Sequence, residues 1–539
     1  VVKNQIYYHL QIKYYCYYFI IHLRKDDNMS YFIGLDIGTS AAKALLCDQG
    51  GKIVAIAQQE YPLYSPQPLW SEQNPSDWWQ GSIHAIQQLL AESAISPSLV
   101  VGIGLTGQMH GSVFLDHENQ IIRPALLWND QRTAAECDQI TASVGYERLI
   151  EIAGNPALTG FQAPKILWLR NHEPQHYERV AKVLLPKDYI RFMLTGEYAS
   201  DCSDAAGTLL LDLNKRDWSA ELLQTLDLPR EWFPRVFEGS QITGRLLSSV
   251  AKKLGLPDGI PVVAGGGDNA AAAVGTGIVR SGLVSSSIGT SGVVFAHSDE
   301  IRLDPKGRLH TFCHAVPGKN HLMAVTLSAG NSLRWLRDLF RTSASNLNGA
   351  EELSLSYESM TAQAAQVPPG AEGLIFLPYL TGERTPHLDP LATGAFVGLT
   401  TRHTAAHLVR AVMEGVTFSL RDGFEIMHDL QVPINQVRAI GGGGKSPFWC
   451  QLQADIFGSQ VVNLAVEEGP AYGAALLAIA ADQDAAGVTQ VSEACVKTTN
   501  RHHPQSAHVE RYNQLYAIYR EVYPVLRENM HNLSQFAVG

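Results

Sequence analysis

The sequence predicts an α/β protein of two domains made by internal duplication. A strand, a Gly-Thr-Ser turn and a second strand occur around Gly38-Thr39-Ser40 and again around Gly289-Thr290-Ser291, 251 positions later. At 539 residues the chain is roughly twice the length at which one core stops growing. Between these landmarks short apolar runs alternate with stretches of helical period, which places strands and helices in one interleaved fold.

Composition narrows the class. Hydrophobic residues make up 45% and charged residues 17%, ordinary for a globular protein and against disorder. The net charge of -11 carries no basic stripe, so no nucleic-acid partner is expected. Seven cysteines with no C-x-x-C pair suit a reducing compartment, and a cytoplasmic protein is the expectation. Residues 1–28 differ in kind, with six tyrosines crowded around Phe19-Ile20-Ile21. Their uncharged run, Tyr14 to Leu23, is half the ~20 residues of a membrane span, and no membrane partner is expected. Because Met29 directly precedes the first good strand, residues 1–28 are expected to be upstream sequence that the working protein lacks.

Taken in order, Tyr31–Asp36, Ala41–Cys47 and Lys52–Ala57 read as a meander of strands. The turn Gly38-Thr39-Ser40 offers backbone N–H groups and two hydroxyls in a tight arc, a seat for phosphate oxygens, although Gly-Thr-Ser is also common loop chemistry. A helix from Pro75 to Ala94 can be capped by Asn74 or Ser76, with Trp78 and Trp79 on its core face. The strand Leu99–Leu105 ends in Thr106-Gly107-Gln108-Met109-His110-Gly111, polar groups where open α/β sheets place ligands. Leu126-Leu127-Trp128-Asn129-Asp130 repeats that theme. His110 has no zinc-motif spacing to a neighbour. Residues 150–260 show no chemical cluster, and Asp201, Ser203 and Asp204 read as loop and helix-cap residues.

The organising stretch is Val262–Asn269, a buried strand running into three glycines and then Asp268. Three glycines forgo packing and carry extra backbone entropy, so they belong where a turn needs φ > 0 or a ligand approaches the main chain. Asp268 is the candidate base. The alanine-rich run Asn269–Gly277 suits a helix packed closely on its neighbours, and the domain boundary is expected near Arg280. Further on, a long helix is expected from His407 to about Leu430, with Leu408, Val412, Val416, Leu420 and Phe424 in the core. Ala439–Ser446 fits a loose Walker A pattern, but only one clear strand, Gln460–Ala465, is expected after it and no Walker B acid, so a P-loop is rejected. The tyrosines at 512, 516, 519 and 523 form a packing stripe.

From Met29 to about Asp482 the sequence resembles the FGGY family of carbohydrate kinases. The resemblance rests on Gly34-Leu35-Asp36-Ile37-Gly38-Thr39-Ser40, Gln108-Met109-His110-Gly111, Leu185-Pro186-Lys187-Asp188-Tyr189, Gly265-Gly266-Gly267-Asp268-Asn269, Gly289-Thr290-Ser291 and Gly382-Glu383-Arg384-Thr385-Pro386. The family signature Gly394-x3-Gly398-Leu399 with His407-Leu408-x2-Ala411-Val412-Met413-Glu414 is also present. An earlier signature around Gly160–Trp168 departs at Gln162, where the family has Pro, Ser or Thr.

This resemblance implies an actin-like, ribonuclease H-like duplicated fold whose two domains surround a central cleft for sugar and ATP. Residues 29–280 would bind the sugar and carry the base, residues 281–485 would bind the nucleotide, and residues 486–539 would form a helical tail. It implies that Asp268 accepts the proton and that Met109, His110, Asn269 and Trp128 meet the sugar. It further implies that Asp36 aligns Mg²⁺, that Gly38-Thr39-Ser40 and Gly289-Thr290-Ser291 hold the triphosphate, and that Gly442, Gly443 and Ser446 line the adenosine. The implied acceptor is D-xylulose, with ribulose, gluconate or glycerol as alternatives, and homodimerisation is common in the family. A nucleotide-switch module of the same fold would not need Asp268 or the Gln108–Gly111 loop.

Overall fold

The computed structural model describes residues 29–348 and 355–536; the tyrosine-rich segment lies outside them. The first sheet is organised around β1 (Tyr31–Ile37), whose Ile33, Leu35 and Ile37 are fully buried. β2 (Ala41–Asp48) returns antiparallel to it, followed by β3 (Ile53–Glu60), also antiparallel. On the other side β4 (Val100–Gly107) runs parallel to β1 and β6 (Pro261–Val263) parallel to β4, with β5 (Ile242–Arg245) at the edge and β7 (Gly266–Gly267) paired to the end of β4.

The second sheet repeats this plan. β8 (Gly282–Ile288) takes the place of β1, antiparallel to β9 (Gly292–Ser298), which is antiparallel to β11 (Asn320–Thr326). β12 (Ile434–Gly441) is parallel to β8, and β13 (Val461–Leu464) parallel to β12. The polarity read across 3-2-1-4-6 is therefore the polarity read across 11-9-8-12-13, so the repeated Gly-Thr-Ser turn marks a duplicated sheet. β10 (His310–Cys313) and β14 (Thr498–His502) close the two edges. β14 corrects the expectation of one strand after the glycine run and of a purely helical tail. Its Thr-Thr-Asn-Arg-His is polar because it covers an edge, and it lacks the apolar alternation that marks a half-buried strand.

Helices cover both sheets. α1 (Pro75–Ser93) starts with Pro at its first turn and with Asn74 Oδ1 accepting from the Ser76 amide at 3.0 Å, so Asn74 is the cap. It buries Trp78, Ile83, Ile86 and Leu89 against the first sheet. The long helix Ala405–Asp429 buries Val412, Val416, Leu420 and Phe424, with Leu408 only partly covered. The helix Ser506–Ser534 turns all four tyrosines inward, where Tyr512 bonds Glu414 at 2.7 Å and Tyr516 bonds Asp422 at 2.6 Å.

The two halves interlock through backbone contact. The helix Gly469–Ile479 lies across the first sheet, and a Cβ at Gly34 or Gly104 would stand 1.8 Å from the carbonyl oxygen of Ala471 or Ala474. It also crosses the alanine-rich helix Asp268–Gly275, where a Cβ at Gly473 would stand 1.7 Å from the Ala271 oxygen. Glycine is required at these positions by proximity.

Candidate active site

Strand register assembles the site. Asp36 pairs with Lys43 on one side and Thr106 on the other, and Thr106 pairs with Gly266, two residues before Asp268. One row across four strands thus brings the two candidate carboxylates to the same end of the sheet. Burial first and the charge of Asp268 second push the Asp36 carboxyl up to about 7, with Lys43 pulling the other way. Its Oδ1 is buried without a hydrogen-bond partner. Lys43 Nζ reaches Glu468 Oε2 at 2.9 Å, an ion pair between the two halves of the chain.

The first turn is held from below. The Gly38 carbonyl accepts from Tyr61 Oη at 2.5 Å and from Gln108 Nε2 at 3.3 Å, and the Thr39 carbonyl accepts from Gln73 Nε2 at 2.7 Å. The Thr39 hydroxyl donates to Gln108 Oε1 at 3.3 Å and accepts from Trp128 Nε1 at 3.0 Å. Of the two hydroxyls read from sequence, this one is engaged and Ser40 is exposed. The exposed indole of Trp128 is thereby tied to the turn.

His110 has a left-handed backbone, φ 69°. Its Nδ1 lies 2.5 Å from the Gly207 carbonyl, which fixes the proton on Nδ1 and leaves Nε2 as acceptor. Burial drives the imidazole down to about 3, with Lys165 and Arg384 adding to the effect, so the ring is neutral. Lys165 is fully buried and donates to the carbonyls of His110 at 2.9 Å and Gly160 at 2.6 Å. Gln162, at the departure from the family signature, donates to the carbonyls of Gly111 at 2.9 Å and Leu184 at 3.2 Å, so its amide holds this loop. Met109 is buried, and a Cβ at Gly267 would stand 2.9 Å from its Cγ.

Asp268 is the first residue of its helix. Gly265, at φ 77°, makes the bend ahead of it, where a Cβ would meet the Leu105 oxygen at 1.8 Å. Asp268 Oδ1 accepts from the Asn269 amide at 2.7 Å and from Asn269 Nδ2 at 2.9 Å. Burial raises its carboxyl to about 6, against the pull of these bonds. Asn269 therefore faces the carboxylate.

At the second turn lies a cavity of about 660 Å³, lined by Gly289, Thr290, Gly442, Gly443 and Ser446, with Tyr357 and Phe448 among its walls. Ser291 completes the turn beside it without lining it, and the Gly38–Ser40 turn belongs to the other sheet. Gly330, opening the next helix, donates to the Gly289 carbonyl at 2.8 Å and braces the turn. Gly443 lies against Ile288, where a Cβ would meet the Ile288 Cβ at 2.6 Å. Lys445 pairs with exposed Glu467 at 3.1 Å.

Sequence reasoning missed Lys165 and Arg384 as parts of the site. Both were legible only as letters of family motifs, because the burial of Lys165 and the reach of Arg384 toward His110 arise from the fold.

Two sheets of one topology, each with a Gly-Thr-Ser turn, a carboxylate pair at one and a cavity at the other, make an actin-like ATPase fold arranged for phosphoryl transfer. Residues 31–275 match the N-terminal domain, and residues 284–481 the C-terminal domain, of the FGGY family of carbohydrate kinases. The chain is 46% identical over 448 residues to the xylulose kinase of Escherichia coli (strain K12), covering 83% of this chain and 89% of that one. It is 40% identical over 495 residues to the xylulose kinase of Bacillus subtilis (strain 168), covering 92% and 97%. The crystal structure of xylulose kinase from Rhodospirillum rubrum matches with a TM-score of 0.86 at 31% identity, covering 93% of this chain and all of that one, 100%. The chain belongs to the FGGY family of carbohydrate kinases.

Proposed function

We propose that this enzyme transfers the γ-phosphoryl group of ATP to the terminal hydroxyl of D-xylulose, giving D-xylulose 5-phosphate. The observation that carries the reading is Asp268: a carboxylate raised to about 6, at the head of a helix, beside the Met109–His110 loop and within the field of Asp36. A base of that strength is ionised at neutral pH and still basic enough to take a hydroxyl proton late in a loose transition state. Neutral His110 accepts a sugar hydroxyl at Nε2, and Trp128 walls the sugar while Asn269 keeps the base oriented. The Gly289–Ser291 turn receives phosphate oxygens at the mouth of the adenosine cavity, and the Gly38–Ser40 turn receives them from the other sheet. In this reading residues 29–280 carry the sugar and the base, and residues 281–485 carry the nucleotide.

Asp36 fits a divalent cation, because its buried Oδ1 has no hydrogen-bond partner. Mg²⁺ bound there with the nucleotide would neutralise charge on the phosphates. No helix among the described residues is long and apolar enough to cross a membrane. The free cysteines among the described residues support a reducing, cytoplasmic location in this reading.

The test is sugar-dependent ADP release with MgATP against D-xylulose, D-ribulose, L-ribulose, D-gluconate and glycerol. Turnover on D-xylulose at least tenfold above the other acceptors is expected. A preference for another acceptor would overturn the substrate, and no sugar-dependent ADP would overturn the reaction.

A further inference from the structure

Below the sugar side of the site lies a sealed ionic cluster that the reaction as described does not use. Lys187, on the helix Pro186–Thr195, is fully buried, and its Nζ reaches Asp188 Oδ1 at 2.6 Å, Asp201 Oδ2 at 2.6 Å and Asp204 Oδ2 at 3.2 Å. Arg191, one turn on and equally buried, donates to the Val263 carbonyl at 2.8 Å and to the Ala264 carbonyl. Those carbonyls immediately precede the three glycines that lead to Asp268. Burial pulls the Lys187 ammonium down, but the three carboxylates together outweigh it and hold it above its ordinary value. Burial pushes Asp204 above the usual carboxylate range, with Lys187 pulling the other way. Sealing so many ionisable groups away from water is a poor route to stability, since apolar residues of similar volume often serve as well or better. What such a cluster supplies is position.

The position it fixes runs toward the base. Asp201 caps the five-residue helix Cys202–Ala206, its Oδ1 accepting from the Ser203 amide at 2.8 Å and from Ser203 Oγ at 2.5 Å. With its proton given to Asp201, Ser203 Oγ is left as an acceptor, and it accepts from the Gly267 amide at 3.1 Å. Gly267 is the residue before Asp268. At the far end of the same helix, the Gly207 carbonyl holds His110 Nδ1 at 2.5 Å. One short helix therefore touches the peptide that carries the base and the imidazole that faces the sugar.

We propose that Ser203 is a positioning residue for Asp268, held by the Lys187–Asp201 ion pair, and that the helix Cys202–Ala206 is a common mount for Asp268 and His110. The inference rests on the reading of Asp268 as the base. Three glycines precede Asp268, and beside their pairing with β4 the Ser203 bond is the side-chain tie to the peptide that carries the base. A displacement of ~1 Å at a reacting group costs about 10²-fold in rate, so a lost tie is felt in the chemical step.

Four variants test this by single-turnover phosphoryl transfer from MgATP to D-xylulose. Ser203→Ala is expected to slow transfer by about tenfold, with KM for both substrates within about twofold of wild type. Asp201→Asn keeps an oxygen to cap the helix but removes the charge facing Lys187; a similar loss is expected, and this variant decides the matter should Ser203→Ala not fold. In an Asp268→Asn background, Ser203→Ala should cost nothing further, because residues acting as a unit are non-additive. A wild-type rate in Ser203→Ala, or a loss that multiplies in the Asp268→Asn background, would overturn the positioning role. A wild-type rate in Asp268→Asn alone would instead overturn the base, so the two failures are told apart.

Discussion

Asp268 serves the reaction against the interest of the resting fold. Its carboxyl titrates at about 6 in the folded protein, above the ordinary 3.8. Below pH ~3 both folded and unfolded chains hold the proton, and the group takes nothing from stability. As pH rises from 4 through 6 the unfolded chain releases its proton more readily, so the folded state loses ground and stays weakened above pH 6. Asp268→Asn removes that loss, and at pH 8, without ligands, it should stabilise the protein by about 1 kcal/mol, less than the full shift because water in the cleft screens the charge. At pH 4, where the unfolded carboxyl is about half protonated, the difference between the two proteins should shrink to a few tenths of a kcal/mol. Thermal melting at both pH values checks this, and a variant less stable than wild type at pH 8 would contradict it. The same titration gives wild-type turnover an acid limb near pH 6, with activity rising as the base ionises.

Among the elements, the helix Gly469–Ile479 couples the halves. It contributes its backbone where most helices contribute side chains: Gly34 and Gly104 on the sheet, and Gly473 on the helix, leave no room for a Cβ. The obstructing atoms are carbonyl oxygens, which cannot swing aside as a side-chain end would. Gly473→Ala should therefore lower stability by about 2 kcal/mol or more through overpacking, and lower turnover with it, since Asp268 begins the helix it presses on. Calorimetry checks the first effect and the coupled ADP assay the second; an unchanged melting temperature would contradict the close packing.

Legibility divides at this scale too. The paired turns, the strand into three glycines, the tightly packed alanine-rich helix and the tyrosine stripe were readable because each is local and repeats a physical pattern. The row Lys43–Asp36–Thr106–Gly266 was not, because register across four strands leaves no local trace. Lys187 was legible only as a letter of a family motif and Asp201 and Ser203 only as cap residues, because ion pairs and hydrogen bonds that join positions spread over seventeen residues and the Gly267 peptide leave no local trace. The strand Thr498–His502 was missed because edge strands need not be apolar.

At the scale of the whole molecule, duplication has been divided by chemistry. Both sheets keep the same polarity and the same Gly-Thr-Ser turn, yet Asp268, Asp36 and His110 belong to the first, and the cavity of about 660 Å³ adjoins the turn of the second. Lys43 and Glu468 pair across that division within the field of Asp36. The glycine run at 441–444, which imitates a P-loop, begins at the end of a strand of the second sheet, and its Gly442 and Gly443 line the cavity.

The account turns on Asp268 taking the proton of a sugar hydroxyl, and the most direct test is the rate of phosphoryl transfer from MgATP to D-xylulose in wild type and in Asp268→Asn, with nucleotide affinity measured on both. The account predicts D-xylulose 5-phosphate from wild type, a loss of about 10² to 10⁴-fold in the variant, and unchanged affinity for the nucleotide. Transfer at the wild-type rate in Asp268→Asn would contradict it.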